Sequence, residues 1–438
     1  MDVQNKRIVI CCDGTWNTPE QPTNVVKLLR SIKPYSDDGK HQVVFYDQGV
    51  GTNNPVDKFM GGAFGKGIEQ NVLDAYRFIV HNYQPDDEIY CFGFSRGAYT
   101  ARALGGMLHT IGLLPKDTLQ NLPAAYKYYR TPPHKRNAQT YEQMFKPEIK
   151  LMAVWDTVGA LGAPTPILGR FTKPLVGFFN TQLSPDIKNA YQALAIDERR
   201  GVFQPALWTG DINSDQTVEQ SWFAGVHSDV GGGYAQATLS NVALSWMVSK
   251  SKSLGLDFSN EYLSYRGEMH ADDLHDSYSW AYGAMEKLGV KEGVRQLQGE
   301  YDNPPINVAI HESVIQRMEQ VEIYQPINFI NTLPISRTES RTESRTESRT
   351  ESRTESRTDE RRLYKRQMTP TLQGILETGN EKINCEILDY SPEGGVKISC
   401  NEGLKKKDAI AISSAKFDKT LATCVWQKGN TYGLHFAA

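Results

Sequence analysis

The sequence lacks several features that mark particular classes of protein. It has only six cysteines among 438 residues, none with the spacing of a metal site, and most lie in apolar runs. We therefore expect reduced, buried thiols and no metal. An excess of one charge is also missing, because 48 Lys and Arg residues face 51 Asp and Glu residues for a net charge of −3. This balance argues against nucleic acid as a partner.

A long apolar run is absent from the start of the sequence. The opening "MDVQNKRIVICCDGTWN" is polar and then only briefly apolar. This pattern is neither a signal peptide nor long enough to cross a bilayer, so we expect a cytoplasmic protein, with peripheral contact at the inner membrane as the alternative. The length and the 39% hydrophobic content predict two folded units.

A four-residue repeat separates these units. The tetrapeptide "SRTE" occurs in six copies from Ser336, the last of which ends in Asp359. A helix would place like charges next to each other, and a strand would have no apolar face to bury. We predict a flexible linker over 333–360, with a span of roughly 25–30 Å. It would join a domain at 1–332 to a domain at 361–438.

Residues 1–332 alternate β-rich runs with helical patterns, which predicts an α/β fold. Strands are predicted in "RIVICC", "HQVVFYD", "DEIYCFGF" and "EIKLMAVW". Helices are predicted in "IEQNVLDAYRFIVHNY", "AYTARALGGM" and "ALAIDERR".

The motif "GFSRG" lies between one of these strands and a helix. Its two glycines permit a sharp strand-to-helix turn, which is typical of a nucleophile elbow with Ser95 exposed. An ordinary turn serine is the alternative. The backbone N–H of Arg96 would point at a developing oxyanion, and a second donor is predicted in "DGTWN", around Gly14 and Thr15.

A nucleophilic serine needs a base and an orienting acid, in the chain order Ser, Asp, His for this type of turn. Asp156 ends the apolar run "EIKLMAVW", and His227 stands in "SWFAGVHSDVGGGY" before three glycines. We predict Asp156 as the acid and His227, on a flexible loop, as the base. The alternatives are a carboxylate that caps a turn and a packed histidine bonded to Asp229.

Metal-assisted phosphoester hydrolysis is a rival hypothesis for the same region. It would use the carboxylates of Asp13, Asp156 and Asp229 together with His227. Their spacing in the sequence is not typical of a metal site, and this chemistry would leave the motif around Ser95 without a role.

Several motifs stand in the order and approximate spacing of a known α/β-hydrolase family: "CCDGTWN", "GFSRGAYTAR", "VWDTVGALG", "AYQALAIDERRGVFQPALW", "VHSDVGGGY" and "HESVIQRM". Over residues 5–330 the chain resembles the family called domain of unknown function 2235, which includes phospholipase effectors of type VI secretion. The resemblance implies a mostly parallel sheet with helices on both faces and hydrolysis of phospholipid acyl esters. By motif position, the triad of the family corresponds to Ser95, Asp156 and His227.

The segment "TPILGRFTKPLVGFFN", residues 165–180, is apolar, aromatic and basic. It would suit a lid that contacts an acyl chain or a membrane surface. A surface loop packed on the sheet is the alternative.

Residues 361–438 contain short β-type runs separated by turn signals, which predicts a small antiparallel barrel. The run "RRLYKR" places Arg362 and Arg366 four apart, and "DYSPEGG" holds Asp389, Ser391 and Gly394. Guanidinium groups bind phosphates and stack on purines, and a carboxylate and a hydroxyl can bind a guanine edge. A solvated basic cluster and a simple Asx-turn are the alternatives.

Together these motifs resemble the PilZ domain, whose RxxxR and [D/N]xSxxG sequences bind cyclic di-GMP. The resemblance implies that Arg362 and Arg366 contact phosphates and stack on guanine, with Arg361 assisting. It also implies that Asp389, Ser391 and Gly394 surround one guanine base.

The combined prediction is a serine esterase or lipase whose activity or location is controlled by cyclic di-GMP. No cofactor is expected for catalysis, and the expected substrates are acyl esters, with phospholipids among them. Two alternatives remain: a catalytically silent interaction module that responds to cyclic di-GMP, and an exported antibacterial lipase effector. The sequence indicates neither the sign of regulation nor the oligomeric state.

Overall fold

The chain divides into two compact units, Met1–Arg341 and Thr342–Ala438. The computed structural model describes residues 5–14, 22–49, 61–158, 181–263, 274–277, 293–298, 304–321, 324–330 and 333–338 of the first unit, and 372–378, 381–391, 395–400, 409–414, 417–428 and 431–436 of the second.

An eight-stranded sheet forms the centre of the first unit, and every neighbouring pair of its strands is parallel. The spatial order is β2-β1-β3-β4-β5-β6-β7-β8. The α/β fold with a mostly parallel sheet is thus confirmed. The strands are β1 (Arg7–Cys12), β2 (Gln42–Asp47), β3 (Glu88–Phe94), β4 (Ile149–Trp155), β5 (Asn189–Ala195), β6 (Thr217–Phe223), β7 (Val308–His311) and β8 (Ile335–Ser336).

Helices flank this sheet. The α-helices are α1 (Asn24–Ser31), α2 (Gly61–Asn82), α3 (Arg96–Ile111), α4 (Leu122–Arg130), α5 (His227–Gly231), α6 (Thr238–Ser253) and α7 (Glu312–Gln320). Short 3-10 helices span Lys116–Asn121, Pro133–Lys135, Ala138–Thr140, Gly201–Phe203 and Asn260–Leu263. Within the described parts of the chain, none of the helices combines the length and the apolarity that a membrane crossing requires.

Alternate residues of β1 belong to different hydrophobic cores, one on each face of the sheet. Ile8 packs in a core with Tyr76 of α2 and with residues of α3 and α4. Val9 packs in a second core with Leu28 of α1 and Trp246 of α6. Strands that are buried on both faces in this way have continuous apolar sequences, which is why they were recognisable as β-rich runs.

The segment "ALAIDERR" differs from its predicted helix. Its first three residues end β5, and Ala193, Leu194 and Ala195 are fully buried there. The helix prediction was wrong because a strand covered on both faces shows no apolar–polar alternation, and tertiary burial overrides the helix preference of alanine.

The predicted linker starts inside the sheet. Ile335 and Ser336 form β8 next to β7, and Ser221 of β6 donates a hydrogen bond from its hydroxyl to Ser336 Oγ at 2.7 Å. Thr338 Oγ1 lies 3.0 Å from His311 Nε2, and its backbone N–H donates to Glu312 Oε1 at 3.1 Å. The residues of the predicted linker up to Thr338 thus contact the first unit, and residues 339–371 lie outside the described residues.

The second unit contains antiparallel strand pairs. The described strands are β9 (Leu372–Thr378), β10 (Glu381–Ser391), β11 (Gly395–Ser399), β12 (Ala409–Ser414), β13 (Phe417–Lys428) and β14 (Thr431–Phe436). Strand β9 pairs with β10 and β12, β11 pairs with β10 and β14, and β13 pairs with β12 and β14.

Two of the residues predicted to bind cyclic di-GMP fall on these strands. Asp389 and Ser391 lie in the last residues of β10, opposite Lys397 and Gly395 of β11, rather than in the turn after the strand. The remaining four positions, Arg361, Arg362, Arg366 and Gly394, lie outside the described residues. The PilZ-like barrel and its ligand stay a prediction.

Candidate active site

Ser95 occupies a sharp turn between β3 and α3. Its backbone has φ 58° and ψ −119°, a conformation that residues with a Cβ rarely adopt. The backbone is therefore strained at this residue. Its N–H donates to the carbonyl of Trp155 at 3.0 Å, which ties the turn to the end of β4. The geometry is that of a nucleophile elbow.

The glycines on either side of Ser95 make this turn sterically possible. A Cβ on Gly93 would lie 2.6 Å from the Ala98 Cα, and a Cβ on Gly97 would lie 2.1 Å from the carbonyl oxygen of Cys12. Neither distance is tolerated between real atoms. The motif therefore requires glycine because β1, β3 and α3 meet there without room for a side chain.

Asp156 follows β4 directly and is fully buried. Its backbone N–H donates to the carbonyl of Ala193 at 2.7 Å, and its φ of 40° turns the chain away from the sheet. The carboxylate accepts a hydrogen bond from the backbone N–H of Ala195 at 3.1 Å. Asp156 is therefore held at the carboxyl edge of the sheet, as predicted from the apolar run before it.

His227 connects the other two side chains. Its Nδ1 lies 2.5 Å from Asp156 Oδ2, and its Nε2 lies 2.8 Å from Ser95 Oγ. The three residues thus form one hydrogen-bonded chain at the carboxyl ends of β3, β4 and β6, although they are separated by 71 and 132 positions in the sequence. This arrangement can remove a proton from a serine hydroxyl and retain it on the imidazole.

The immediate setting of His227 differs from the predicted flexible loop. The residue is buried and begins the short helix α5, and its backbone N–H donates to Glu198 Oε2 at 3.1 Å. Asp229 does not provide the alternative partner, because its carboxylate contacts His275 Nδ1 at 2.6 Å. His227 is held in place by its surroundings rather than delivered by a mobile segment.

Two aromatic rings enclose the imidazole. The ring centroid of Phe94 lies 4.6 Å from that of His227, and the ring of Phe203 approaches edge-on at 4.9 Å. A Cβ on Gly231 would lie 1.9 Å from the ring of Phe94, so this helix residue must be glycine for the ring to stay beside His227. The imidazole is therefore fixed in an apolar setting.

The predicted oxyanion donors are placed differently from one another. Arg96 is the first residue of α3, and N–H groups in the first turn of a helix point away from the helix body, where an anion would lie. Gly14 is next to the site, because a Cβ added to it would lie 3.4 Å from Ser95 Cβ. Its N–H, however, donates to Asp13 Oδ1 at 2.7 Å. Thr15 lies outside the described residues, as does the predicted lid at 165–180.

The acids of the rival metal hypothesis have separate partners. Asp13 also accepts from the hydroxyls of Thr23 and Tyr46, while Asp229 pairs with His275. Among the described residues, no three side chains of the types that bind metals converge on one point.

Burial and charge set the protonation of the site. Burial by itself would raise the pKa of Asp156, but the Arg295 guanidinium and His227 outweigh it and hold that pKa well below its usual range. Burial lowers the pKa of His227 from its ordinary value of 6.5, and Asp156 opposes this shift. Asp156 is therefore ionised and His227 neutral at pH 7, which are the states that base catalysis by the histidine requires.

Two charged residues of the site were not predicted from the sequence. Arg295 contacts the Asp156 carboxylate with both terminal nitrogens, at 2.6 and 2.9 Å. Glu198 binds the backbone of His227, and its pKa, which burial would raise, is lowered to about 2 by Arg200. The charged run "DERR" directly after an apolar segment was a signal for Glu198, but Arg295 stands in no motif and lies 139 positions from its partner.

Comparisons with known proteins extend this description. A curated relative, the uncharacterized protein YEL023C of Saccharomyces cerevisiae, is 26% identical over 234 residues, and the match covers 47% of this chain and 33% of that protein. An uncharacterized protein from Pseudomonas aeruginosa has a crystal structure with 18% identity and a TM-score of 0.34, which covers 60% of this chain and 48% of its own.

The structure of the Tle1 effector bound to the VgrG spike from the Type 6 secretion system is 19% identical with a TM-score of 0.31. It covers 53% of this chain and 51% of its own. The chain thus spans about half or less of the length of each of these relatives.

Residues 6–250 match the family described as "T6SS, Phospholipase effector Tle1-like, catalytic domain". The match covers more than half of the chain and contains Ser95, Asp156 and His227. The predicted enzyme class, a lipid ester hydrolase, is confirmed at the level of this domain. The chain belongs to the family of Tle1-like phospholipase effector catalytic domains of type VI secretion.

Proposed function

We propose that this protein is a serine hydrolase that cleaves the acyl esters of lipids, with phospholipids as its substrates. One observation carries the proposal: Ser95 Oγ, the His227 imidazole and the Asp156 carboxylate form a continuous hydrogen-bonded chain of 2.8 and 2.5 Å. The three residues lie within the part of the protein that matches a phospholipase family, residues 6–250.

The reaction follows from that geometry. Ser95 Oγ attacks the acyl carbonyl carbon while its proton moves to His227 Nε2, and the N–H of Arg96 stabilises the tetrahedral oxyanion. When the acyl C–O bond breaks, the leaving alcohol takes the proton from His227 and the acyl group stays on Ser95. A water molecule, deprotonated by His227, then releases the fatty acid. Asp156 holds Nδ1–H in the required tautomer and stabilises the imidazolium.

Replacement of Ser95 by alanine tests this assignment. Alanine removes the nucleophilic hydroxyl but is as small as serine, so the turn can keep its shape. We therefore expect no labelling by a fluorophosphonate and no fatty acid release from phosphatidylethanolamine vesicles. The matched control is Ser253→Ala at the exposed end of α6, whose hydroxyl donates to the carbonyl of Lys250 at 2.8 Å. Equal labelling of Ser95→Ala and the wild type would reject the triad.

The substrate is tested separately from the triad. A wild-type protein that reacts with fluorophosphonate and cleaves short p-nitrophenyl esters, but releases no fatty acid from vesicles, would be a serine esterase without lipid specificity. A lipid hydrolase should instead increase its rate once the ester concentration passes the point at which micelles form.

The family match favours the alternative of an exported antibacterial lipase effector over an enzyme regulated in the cytoplasm. Regulation by cyclic di-GMP is supported by the sequence motifs of the second unit alone. For an effector, we expect growth arrest when the wild type, but not Ser95→Ala, is directed to the periplasm of a host bacterium.

A further inference from the structure

We propose that Arg295 is a positioning residue of this active site, which fixes the Asp156 carboxylate in the orientation that His227 needs. This inference rests on the proposed function, and it assigns a role to a residue outside the region that matches the family, 6–250. The segment that carries Arg295 would then be part of the catalytic domain in a functional sense.

The contact between Arg295 and Asp156 is bidentate. Arg295 Nη1 donates to Oδ1 at 2.6 Å, and Nη2 donates to Oδ2 at 2.9 Å. Parallel N–H···O bonds of this kind fix the plane of a carboxylate as well as its position. Because Oδ2 also accepts from His227 Nδ1, the plane that Arg295 sets determines the direction in which the imidazole can bond.

The guanidinium is itself held by the backbone around the site. Nη1 also donates to the carbonyl of Ala195 at 2.7 Å, and Nη2 donates to the carbonyl of Phe203. Ala195 ends β5, and the ring of Phe203 packs edge-on against His227. Arg295 thus links the acid of the triad to a wall of the imidazole pocket.

Burial makes this contact functionally significant. The side chains of both Arg295 and Asp156 are completely inaccessible to solvent. A buried ion pair is often no more stabilising than an apolar pair of similar volume, so stability alone does not account for it. The pair is accounted for by its geometric effect, because Asp156 must orient His227.

The Arg295–Asp156 pair also determines the net charge next to His227. Arg295 compensates the carboxylate, so the imidazolium formed during the reaction gains less from Asp156 than it would from an isolated anion. The other charged groups near His227 are Glu198 and Arg200, which pair with each other, and Asp229, which pairs with His275. The charge of Arg295 also acts on Glu198, whose pKa it helps to lower.

Two substitutions separate the geometric effect from the charge effect. In Arg295→Met both are lost, and we expect kcat to fall about 10²-fold because the acid is no longer oriented. The acidic limb of the kcat/KM profile should move up by about one pH unit, because an uncompensated Asp156 raises the pKa of His227. In Arg295→Lys the charge stays but the fork is lost, so kcat should fall while the limb stays in place.

Arg7→Met is the matched control for the loss of a buried, paired arginine. The Arg7 side chain is also buried, at 4% exposed, and it makes a bidentate contact with Asp38, whose side chain is 50% exposed. It lies at the start of β1, away from the carboxyl edge of the sheet that holds the triad. For Arg7→Met we expect a lower midpoint of thermal unfolding, while the pH profile of kcat/KM and the rate of labelling by fluorophosphonate stay unchanged.

The outcomes are distinguishable from a failure of the proposed function. If the wild type does not react with fluorophosphonate, the serine hydrolase assignment fails. If the wild type reacts and both Arg295 variants match it in rate and pH profile, the positioning role is rejected. If Arg295→Met does not fold, Arg295→Lys decides: a normal kcat in a folded Lys variant would also reject the proposal.

Discussion

At the scale of single residues, the site depends on places where the backbone leaves no room. Ser95 is held at a positive φ between β3 and α3, and the Cβ direction of Gly97 points into the backbone of β1 at Cys12. A strained nucleophile is stable here only because neighbouring elements determine the path of the chain.

Gly97→Ala tests this steric requirement. The added methyl would lie 2.1 Å from the Cys12 carbonyl oxygen, so α3 must move away from β1. We expect a loss of at least about 3 kcal/mol in the free energy of unfolding, measured by urea denaturation, together with loss of fluorophosphonate labelling. Gly105→Ala in the same helix is the control, because its methyl would meet only side-chain atoms at 3.2–3.5 Å. Equal effects of the two changes would contradict this explanation.

The pH profile of the wild type and of Asp156→Asn forms a second test. Burial lowers the pKa of His227 below 6.5, so kcat/KM should stay high as the pH falls to 6.5 and decline only below it. Asp156 raises the pKa of His227, so its replacement by Asn should move this limb to still lower pH. We also expect kcat to fall by about 10⁴-fold, because the wrong tautomer is then favoured. An acidic limb above pH 6.5 in the wild type would contradict the assignment of His227 as the base.

The residues of the candidate triad could be selected from the sequence because each has a local signature. Ser95 lies between glycines, Asp156 ends an apolar run, and His227 precedes a glycine cluster. Arg295 has no such signature, since its role arises only when a distant segment folds against β4 and β5. Long-range contacts of this kind are set by tertiary packing, which short sequence patterns do not encode.

At the scale of elements, the sheet is longer than the sequence pattern indicated. The pair Ile335–Ser336 forms the edge strand β8, although Ser336 begins the polar repeat. The apolar residues before the repeat, including Leu333, pack on the core beside β7 and carry the first polar residues to the sheet edge. A tetrapeptide pattern carries no information about the residues before it, so the sequence alone did not indicate that the first copy joins the sheet.

The double change Ser336→Ala and Thr338→Ala tests the docking of this first copy. It removes the contacts to Ser221 and to His311, so we expect a loss of about 1–3 kcal/mol in the free energy of unfolding of the first unit. The control is the same pair of changes in the next copy, Ser340→Ala and Thr342→Ala, which the sequence predicts to be solvated. Equal urea midpoints for both double variants would show that the first copy is not specifically bound.

At the scale of the whole molecule, the two units carry different kinds of support. The first has a family, a fold and a converging set of side chains, whereas the ligand of the second is predicted from two short motifs. Strand periodicity was sufficient to predict a β-rich unit. A ligand assignment needs side chains at defined distances, and four of its six residues lie outside the described part of the chain.

Arg362→Ala tests the regulatory hypothesis in the full chain. If Arg362 contacts a phosphate of cyclic di-GMP, its loss should abolish nucleotide binding in calorimetry, because a charge-assisted contact disappears. Hydrolysis of esters without the nucleotide should be unchanged. Wild-type protein that shows no heat of binding would reject the PilZ assignment while leaving the hydrolase intact.

The parallel direction of β1 and β8 has a practical consequence for work with this protein. The chain enters the sheet through β1 at the edge opposite the active site, and it leaves through β8 at the edge that holds Ser95, Asp156 and His227. An anchor placed before β1 would turn the active site away from a coated surface, whereas one placed just after Thr338 would turn it toward the surface. The orientation of the immobilised protein on a supported bilayer can thus be chosen by the position of one attachment point.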